Sequence, residues 1–130
     1  MVLLSPSILI SDDDVEFRET LIAIFEPVGF RTIAAGDGEE AMEIIHCEEI
    51  HLVLLDLHMP KLSGLEVLRL VKEFKALLPC ILMSAGFDET VRQQAETLAF
   101  SLLDKPVSGP EIRGAVESAM RFTYNWPTPE

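Results

Sequence analysis

Short apolar runs alternate along this chain with longer stretches of helical periodicity. The runs are Ile8-Leu9-Ile10-Ser11, Arg31-Thr32-Ile33-Ala34-Ala35, His51-Leu52-Val53-Leu54-Leu55-Asp56, Cys80-Ile81-Leu82-Met83-Ser84 and Ser101-Leu102-Leu103-Asp104. The third is apolar at consecutive positions. A strand with apolar side chains on both faces is covered on both, as in a parallel sheet. Helix starts lie between the runs. Asp37-x-x-Glu40, Ser63-x-x-Glu66 and Ser108-x-x-Glu111 have capping-box spacing, in which a side-chain oxygen and a carboxylate satisfy orphan amides of the first turn. Pro110 falls in the first turn of the last helix. Asp14 is the expected N-cap of a first helix carrying Phe17, Leu21, Ile24 and Phe25, with Gly29 as its left-handed stop. Asp88 is expected to cap a fourth helix reaching about residue 99.

Five strand–helix units follow. Parallel strands need crossovers, and right-handed crossovers put helices on both faces of an open sheet. The pattern therefore predicts an α/β fold, a doubly wound five-stranded parallel sheet with five helices. No internal repeat or low-complexity tract is present. Residues 1–123 are expected to form the domain. Residues 124–130, with two prolines and no periodicity, read as a C-terminal tail or the start of a linker.

Composition narrows the function. In 130 residues, 10 Lys and Arg face 22 Asp and Glu, a formal net charge of −12. Such a surface repels phosphate backbones and anionic lipid, which argues against direct nucleic-acid binding and leaves cations and basic protein patches as partners. The longest apolar stretches run five or six residues, far short of the roughly 20 that span a bilayer. The apolar start, residues 1–10, has no basic region and leads straight into three aspartates, unlike a secretory leader. Cys47 and Cys80 belong to no motif. They read as free thiols of a reducing cytoplasm, both buried as small hydrophobes.

Ligands of such sheets bind beyond the carboxyl ends of the strands. There the sequence sets Asp12-Asp13-Asp14 after the first strand, Asp56 at the end of the third, Ser84 at the end of the fourth, and Asp104-Lys105-Pro106 after the fifth. Each has an ordinary reading: Asp14 as a cap, Asp56 as a turn residue, Ser84 as a loop hydroxyl, Lys105 as a solvated lysine. Together at one sheet edge they suggest chemistry. Two carboxylates 4 Å apart repel by about 4 kcal/mol at an effective dielectric near 20, and a cation relieves that repulsion. Hard oxygens, with no thiolate or imidazole among them, suit Mg²⁺ or Mn²⁺. An aspartate beside such an ion can attack phosphorus to form an acyl phosphate, with an ammonium and a hydroxyl holding the phosphoryl oxygens.

This ordered set resembles the receiver domain of two-component response regulators over about residues 7–122. Residues 8–14 look like the first strand and acidic pair of that family. Leu52-Val53-Leu54-Leu55-Asp56-Leu57-His58-Met59-Pro60 followed by Ser63-Gly64-Leu65-Glu66 is similar to its phosphoacceptor segment, and Ser84-Ala85 and Lys105-Pro106 match its later motifs. Asp13, Asp56, Ser84 and Lys105 follow one another at intervals of 43, 28 and 21 residues, which suit the family. The resemblance implies a flavodoxin-like sheet of order 2-1-3-4-5. It implies that Asp56 accepts a phosphoryl group from a histidine kinase or phosphotransfer protein. Asp13 and Asp56 would bind Mg²⁺ directly, Asp12 through water, and the backbone carbonyl of His58 would complete the ligands. Lys105 would pair with the phosphoryl group, and Ser84 would hydrogen-bond it and move when it arrives. The output would be altered binding of a downstream protein, by a switch that phosphorylates and dephosphorylates itself.

Other classes fit these residues less well. An aspartyl-phosphate phosphohydrolase usually carries a second Asp two residues after the nucleophile, where this chain has His58. A flavodoxin-like cofactor binder needs a neutral phosphate loop after the first strand, where this chain has three aspartates. A receiver-like module that is not phosphorylated would not need the full set of Asp12, Asp13, Asp56, Ser84 and Lys105. His46 and His51 read as surface residues. The family usually has an aromatic residue three positions before the Lys; here it is Leu102. Strand alternation puts Phe100 and Leu102 on one face at different heights, so Phe100 is no substitute. The response is therefore expected in the loop Ala85-Gly86-Phe87 and the start of the fourth helix, with Gly86 easing the backbone change.

Overall fold

All five apolar runs become strands: β1 (Ser7–Ser11), β2 (Arg31–Ala35), β3 (Leu52–Asp56), β4 (Cys80–Ser84) and β5 (Ser101–Asp104). Between and after them lie α1 (Val15–Phe25), α2 (Gly38–Cys47), α3 (Gly64–Phe74), α4 (Glu89–Glu96) and α5 (Gly109–Tyr124). The structure is a computed structural model that describes residues 5–126. The strands form one sheet in the order β2-β1-β3-β4-β5, and every neighbouring pair is parallel.

Alternate residues of the central strands feed opposite layers. Leu9, Val53, Leu55 and Leu82 pack with Ile45 of α2, Leu68 and Val71 of α3 and Ala95 of α4. Ile8, Ile10, Leu52, Leu54, Ile81 and Met83 pack with Leu21 and Phe25 of α1 and Ile112, Val116 and Met120 of α5. Truncating a fully buried ring such as Phe25 costs about 3–5 kcal/mol, so the two layers hold the sheet rigid and its strand ends in place.

Local signals set the helix boundaries. Asp14, Asp37, Ser63, Asp88 and Ser108 each accept backbone N–H bonds as N-caps. The Ser63/Glu66 and Ser108/Glu111 pairs form reciprocal capping boxes. Asp37/Glu40 does not: the Glu40 carboxylate reaches past the cap to the Gly36 amide at 2.7 Å. Gly29 stops the first helical segment only after a 3-10 turn, Glu26–Val28, and takes φ 104°. α4 stops at Glu96, short of residue 99. There the Leu98 and Ala99 amides both return to the Ala95 carbonyl, and Thr97 Oγ1 donates to the Gln94 carbonyl, tightening the last turn. At the carboxyl end α5 runs to Tyr124, Asn125 caps it in the left-handed region, and Trp126 packs 5.0 Å from the Phe30 ring. Residues 127–130 of the expected tail lie outside the described residues. Among the described residues, no helix is long and apolar enough to cross a membrane.

Three further expectations are corrected. His51 is buried, 8% exposed, because its Nδ1 accepts the Ser7 amide at 2.9 Å and its ring packs edge-on to Tyr124. Cys47 is exposed while Cys80 is buried, though both thiols are free. Phe100 and Leu102 lie on opposite sides of the sheet, Phe100 against the α1/α5 layer and Leu102 against the α2–α4 layer. β5 begins only at Ser101, so strand alternation does not reach back to Phe100.

Candidate functional site

Register gathers the carboxylates. Ser11 lies opposite Leu55, so the chain leaving β1 at Asp12 stands level with Asp56, the last residue of β3. Asp12, Asp13 and Asp56 each offer a carboxylate oxygen, and these oxygens all lie within 4.8 Å of one another. Asp12 and Asp56 are buried and Asp13 is exposed. Asp14 is spent on the cap of α1. Asp12 is held by local bonds: its Oδ1 accepts the Asp14 amide at 2.9 Å, and its carbonyl accepts Arg18 Nη1 at 2.7 Å.

The neighbouring strands bring the remaining groups. Lys105 follows β5, and its amide donates to the Ser84 carbonyl at 2.8 Å. Its Nζ stands 2.8 Å from Asp12 Oδ2 and 3.2 Å from Asp56 Oδ1. The ammonium also lies 4.4 Å from the centre of the Phe17 ring, a cation–π contact. Ser84 is fully buried at the end of β4, where its Oγ accepts the Gly86 amide at 3.0 Å. His58 sits in the turn after β3 with its side chain exposed.

A close approach explains the Ser63-Gly64 pair. A Cβ at Gly64 would overlap the Asp56 carbonyl oxygen and press on Leu82. Only glycine lets α3 start against the end of β3, where the Gly64 amide donates to the Leu57 carbonyl at 2.9 Å. The segment after Asp56 is thus tied back to the strand that carries it.

Three carboxylates and one ammonium leave excess negative charge. Burial pushes the Asp56 carboxyl above its ordinary pKa, the Asp12 charge adds to this, and Lys105 opposes it. Burial pulls the Lys105 ammonium down, but its hydrogen bond to Asp12 and the charges of Asp56 and Asp12 outweigh that and hold its pKa above the usual value. An all-oxygen donor set of this size, short of positive charge, fits a hard divalent cation.

Sequence reasoning missed Phe17 and Arg18, which lie in the first turns of α1 and brace Lys105 and Asp12. It counted Phe17 only as core, because a helical repeat does not show which edge of the apolar face meets a strand end. It also missed Arg92. This guanidinium stacks 4.9 Å from the centre of the half-buried Phe87 ring and pairs with Asp104 at 2.8 Å. Gly86 has no steric need to be glycine in this state, since a Cβ there would meet nothing within 4 Å.

Comparison with known proteins gives a consistent picture. The family model of the response regulator receiver domain matches residues 8–117. Response regulator RR06 of Streptococcus pneumoniae is 40% identical over 119 residues, covering 91% of this chain and 54% of that protein. The chain therefore spans about half the length of RR06. Sporulation initiation phosphotransferase F of Bacillus subtilis is 32% identical over 124 residues, covering 95% of this chain and 100% of that protein. Among solved structures, the response regulator protein TrrA of Thermotoga maritima, in complex with Mg(2+)-BeF, superposes with a TM-score of 0.80 at 28% identity. That match covers 88% of this chain and 98% of TrrA.

Proposed function

Since the chain belongs to the response regulator receiver domain family, we propose that it is a phosphoacceptor switch whose Asp56 takes a phosphoryl group from a histidine kinase or phosphotransfer protein. The observation that carries this reading is the Asp12–Asp13–Asp56 cluster with Lys105 bridging Asp12 and Asp56. The Mg(2+)-BeF complex of TrrA supports Mg²⁺ as the ion. Asp12, Asp13 and Asp56, with the backbone carbonyl of His58, would hold it, Asp12 through water. When bound, the ion would neutralise charge on the carboxylate and phosphoryl oxygens.

The side chains divide the remaining work. The Lys105 charge favours the ionised form of Asp56 against burial, and so favours a carboxylate oxygen able to attack. The new P–O bond forms as the donor's P–N bond breaks, and the histidine ring keeps the electron pair. Lys105 then pairs with a phosphoryl oxygen. Ser84 Oγ accepts from Gly86 and so has its own proton to donate to that oxygen. Any shift of Ser84 towards the phosphoryl group pulls on the Gly86 amide. Phe87 follows next in the chain, and Arg92 joins Phe87 to Asp104. The output surface is therefore the loop from residue 84 to the first turns of α4. Acting in the cytoplasm, the chain would take its phosphoryl group from a histidine kinase or phosphotransfer protein upstream and pass the signal to a protein target downstream.

Incubation with Mg²⁺ and a small phosphodonor should add one alkali-labile phosphoryl group, read by intact mass, and none to Asp56→Asn. Labelling that persists in Asp56→Asn would move the acceptor elsewhere.

A further inference from the structure

On the α2–α3 face lies a groove of about 590 Å³ that takes no part in the carboxylate site. Its floor is Met42 of α2, Leu62 of the turn before α3, and Leu70 and Phe74 of α3. Leu70 and Phe74 are 37% and 41% exposed, large apolar side chains left in contact with solvent. His46 stacks on Phe74 at 4.3 Å between ring centres and extends the flat wall. Along the rim stand Glu39, Glu43 and Glu73.

The charge around this groove is one-sided. None of the three glutamates pairs with a cation among the described residues. The basic residues of α3 and its end point elsewhere: Arg69 donates to Gln94, Lys72 to the Ala76 and Leu78 carbonyls, and Lys75 to the Ile45 carbonyl. An apolar floor between unpaired carboxylates is complementary to an apolar ridge flanked by cations. A second copy of this chain is a poor match, because each carries a formal net charge of −12.

We propose that the α2–α3 groove docks a basic amphipathic helix of a partner protein. The apolar residues of that helix would fill the floor, and its Lys or Arg would face Glu39, Glu43 and Glu73. From residue 39 to residue 47, α2 covers about 12 Å, which matches anchors spaced over two turns of a partner helix. The proposal does not rest on phosphorylation of Asp56.

The test is fluorescence anisotropy of a labelled synthetic peptide, about three helical turns long, with Leu and Phe on one face and Lys on its flanks, titrated with the whole chain. Saturable binding that weakens with added salt is expected. Leu70→Asp, and separately the pair Glu43→Lys and Glu73→Lys, should each weaken it by about tenfold or more. All three positions are exposed, and unchanged thermal melting will show that the fold survives. Bound peptide should also slow maleimide alkylation of Cys47, which lines the groove, while buried Cys80 stays silent. Four results would overturn the proposal: no saturable binding, equal affinity for the peptide with Glu in place of Lys, full affinity in Leu70→Asp, or unprotected Cys47 in the complex. Concentration-dependent dimerisation removed by Leu70→Asp would give the groove to a second copy and overturn it as well.

Discussion

The two ends of the sheet both hold polar groups, and they treat them in opposite ways. At the amino end the Ser7 amide donates to His51 Nδ1, the Tyr124 hydroxyl donates to the His51 carbonyl, and Arg31 joins Ser7 Oγ to Glu48. Each of these groups has a partner. Among the described residues only Ser101 Oγ, at the start of β5, is buried without one. At the carboxyl end three carboxylates crowd together, and Lys105 pairs with two of them, Asp12 and Asp56. A closed hydrogen-bonded network stabilises and specifies a fold. A surplus of like charge does neither, and it is the kind of local conflict that marks a functional site. Damage at the amino end should therefore cost stability and spare chemistry, and damage at the carboxyl end the reverse.

The largest expected effect is at the carboxyl end. Lys105→Met should slow phosphorylation by a small phosphodonor about a hundredfold, the usual cost of losing one preorganised cation or donor. Time-resolved intact mass measures it, and an unchanged rate would separate Lys105 from the chemistry. Next comes the amino end. His51→Ala leaves the Ser7 N–H buried and unpaired, at a cost of about 1–3 kcal/mol. Urea denaturation should record that loss while the labelling rate stays as in the wild type.

Mg²⁺ then separates the ends by binding. At ten times its Kd it should stabilise the wild type by about 1.4 kcal/mol, read as a raised melting temperature. Asp13→Ala should abolish the response and His51→Ala should keep it. The response should shrink as the pH falls through the carboxylate range, and sooner than for an ordinary aspartate, because burial raises the Asp56 carboxyl and so favours its protonated form. The smallest effect is again at the amino end: Tyr124→Phe should cost about 1 kcal/mol. Burial pushes the Tyr124 hydroxyl and the Cys80 thiol each up to about 12, from ordinary values of 10.0 and 9.0. The unfolded chain therefore loses these protons first as the pH rises. Wild-type stability should fall from about pH 9 towards 12, and Tyr124→Phe should lose the part that begins at 10. Equal alkaline melting profiles would contradict this assignment.

Much of this contrast was legible in the sequence, and for local reasons. Apolar runs with a polar residue at each carboxyl end located Asp56, Ser84 and Lys105 on one edge, and Asp14, Ser63 and Ser108 announced their own helices. The amino end was illegible because its contacts are long-range. His51 meets Ser7 across 44 positions and Tyr124 across 73, and no periodicity carries such a pairing. Phe100 escapes strand alternation because it lies one residue before β5. Cys47 reads as core from composition, which weighs a residue type and not the face of α2 on which it stands. The α2–α3 groove escaped notice for a related reason. Leu70 and Phe74 fit a helix's apolar repeat, and only packing shows that nothing covers them.

The claim on which the contrast rests is that Asp56 becomes an acyl phosphate. Borohydride reduces an acyl phosphate to the alcohol and leaves free carboxylates intact, so the phosphorylated aspartate is converted to homoserine. Phosphodonor treatment with Mg²⁺, borohydride quenching and peptide mass mapping should show that conversion at Asp56 alone. Conversion at Asp13 or at any other carboxylate, or none in a chain that has gained phosphoryl mass, would contradict it.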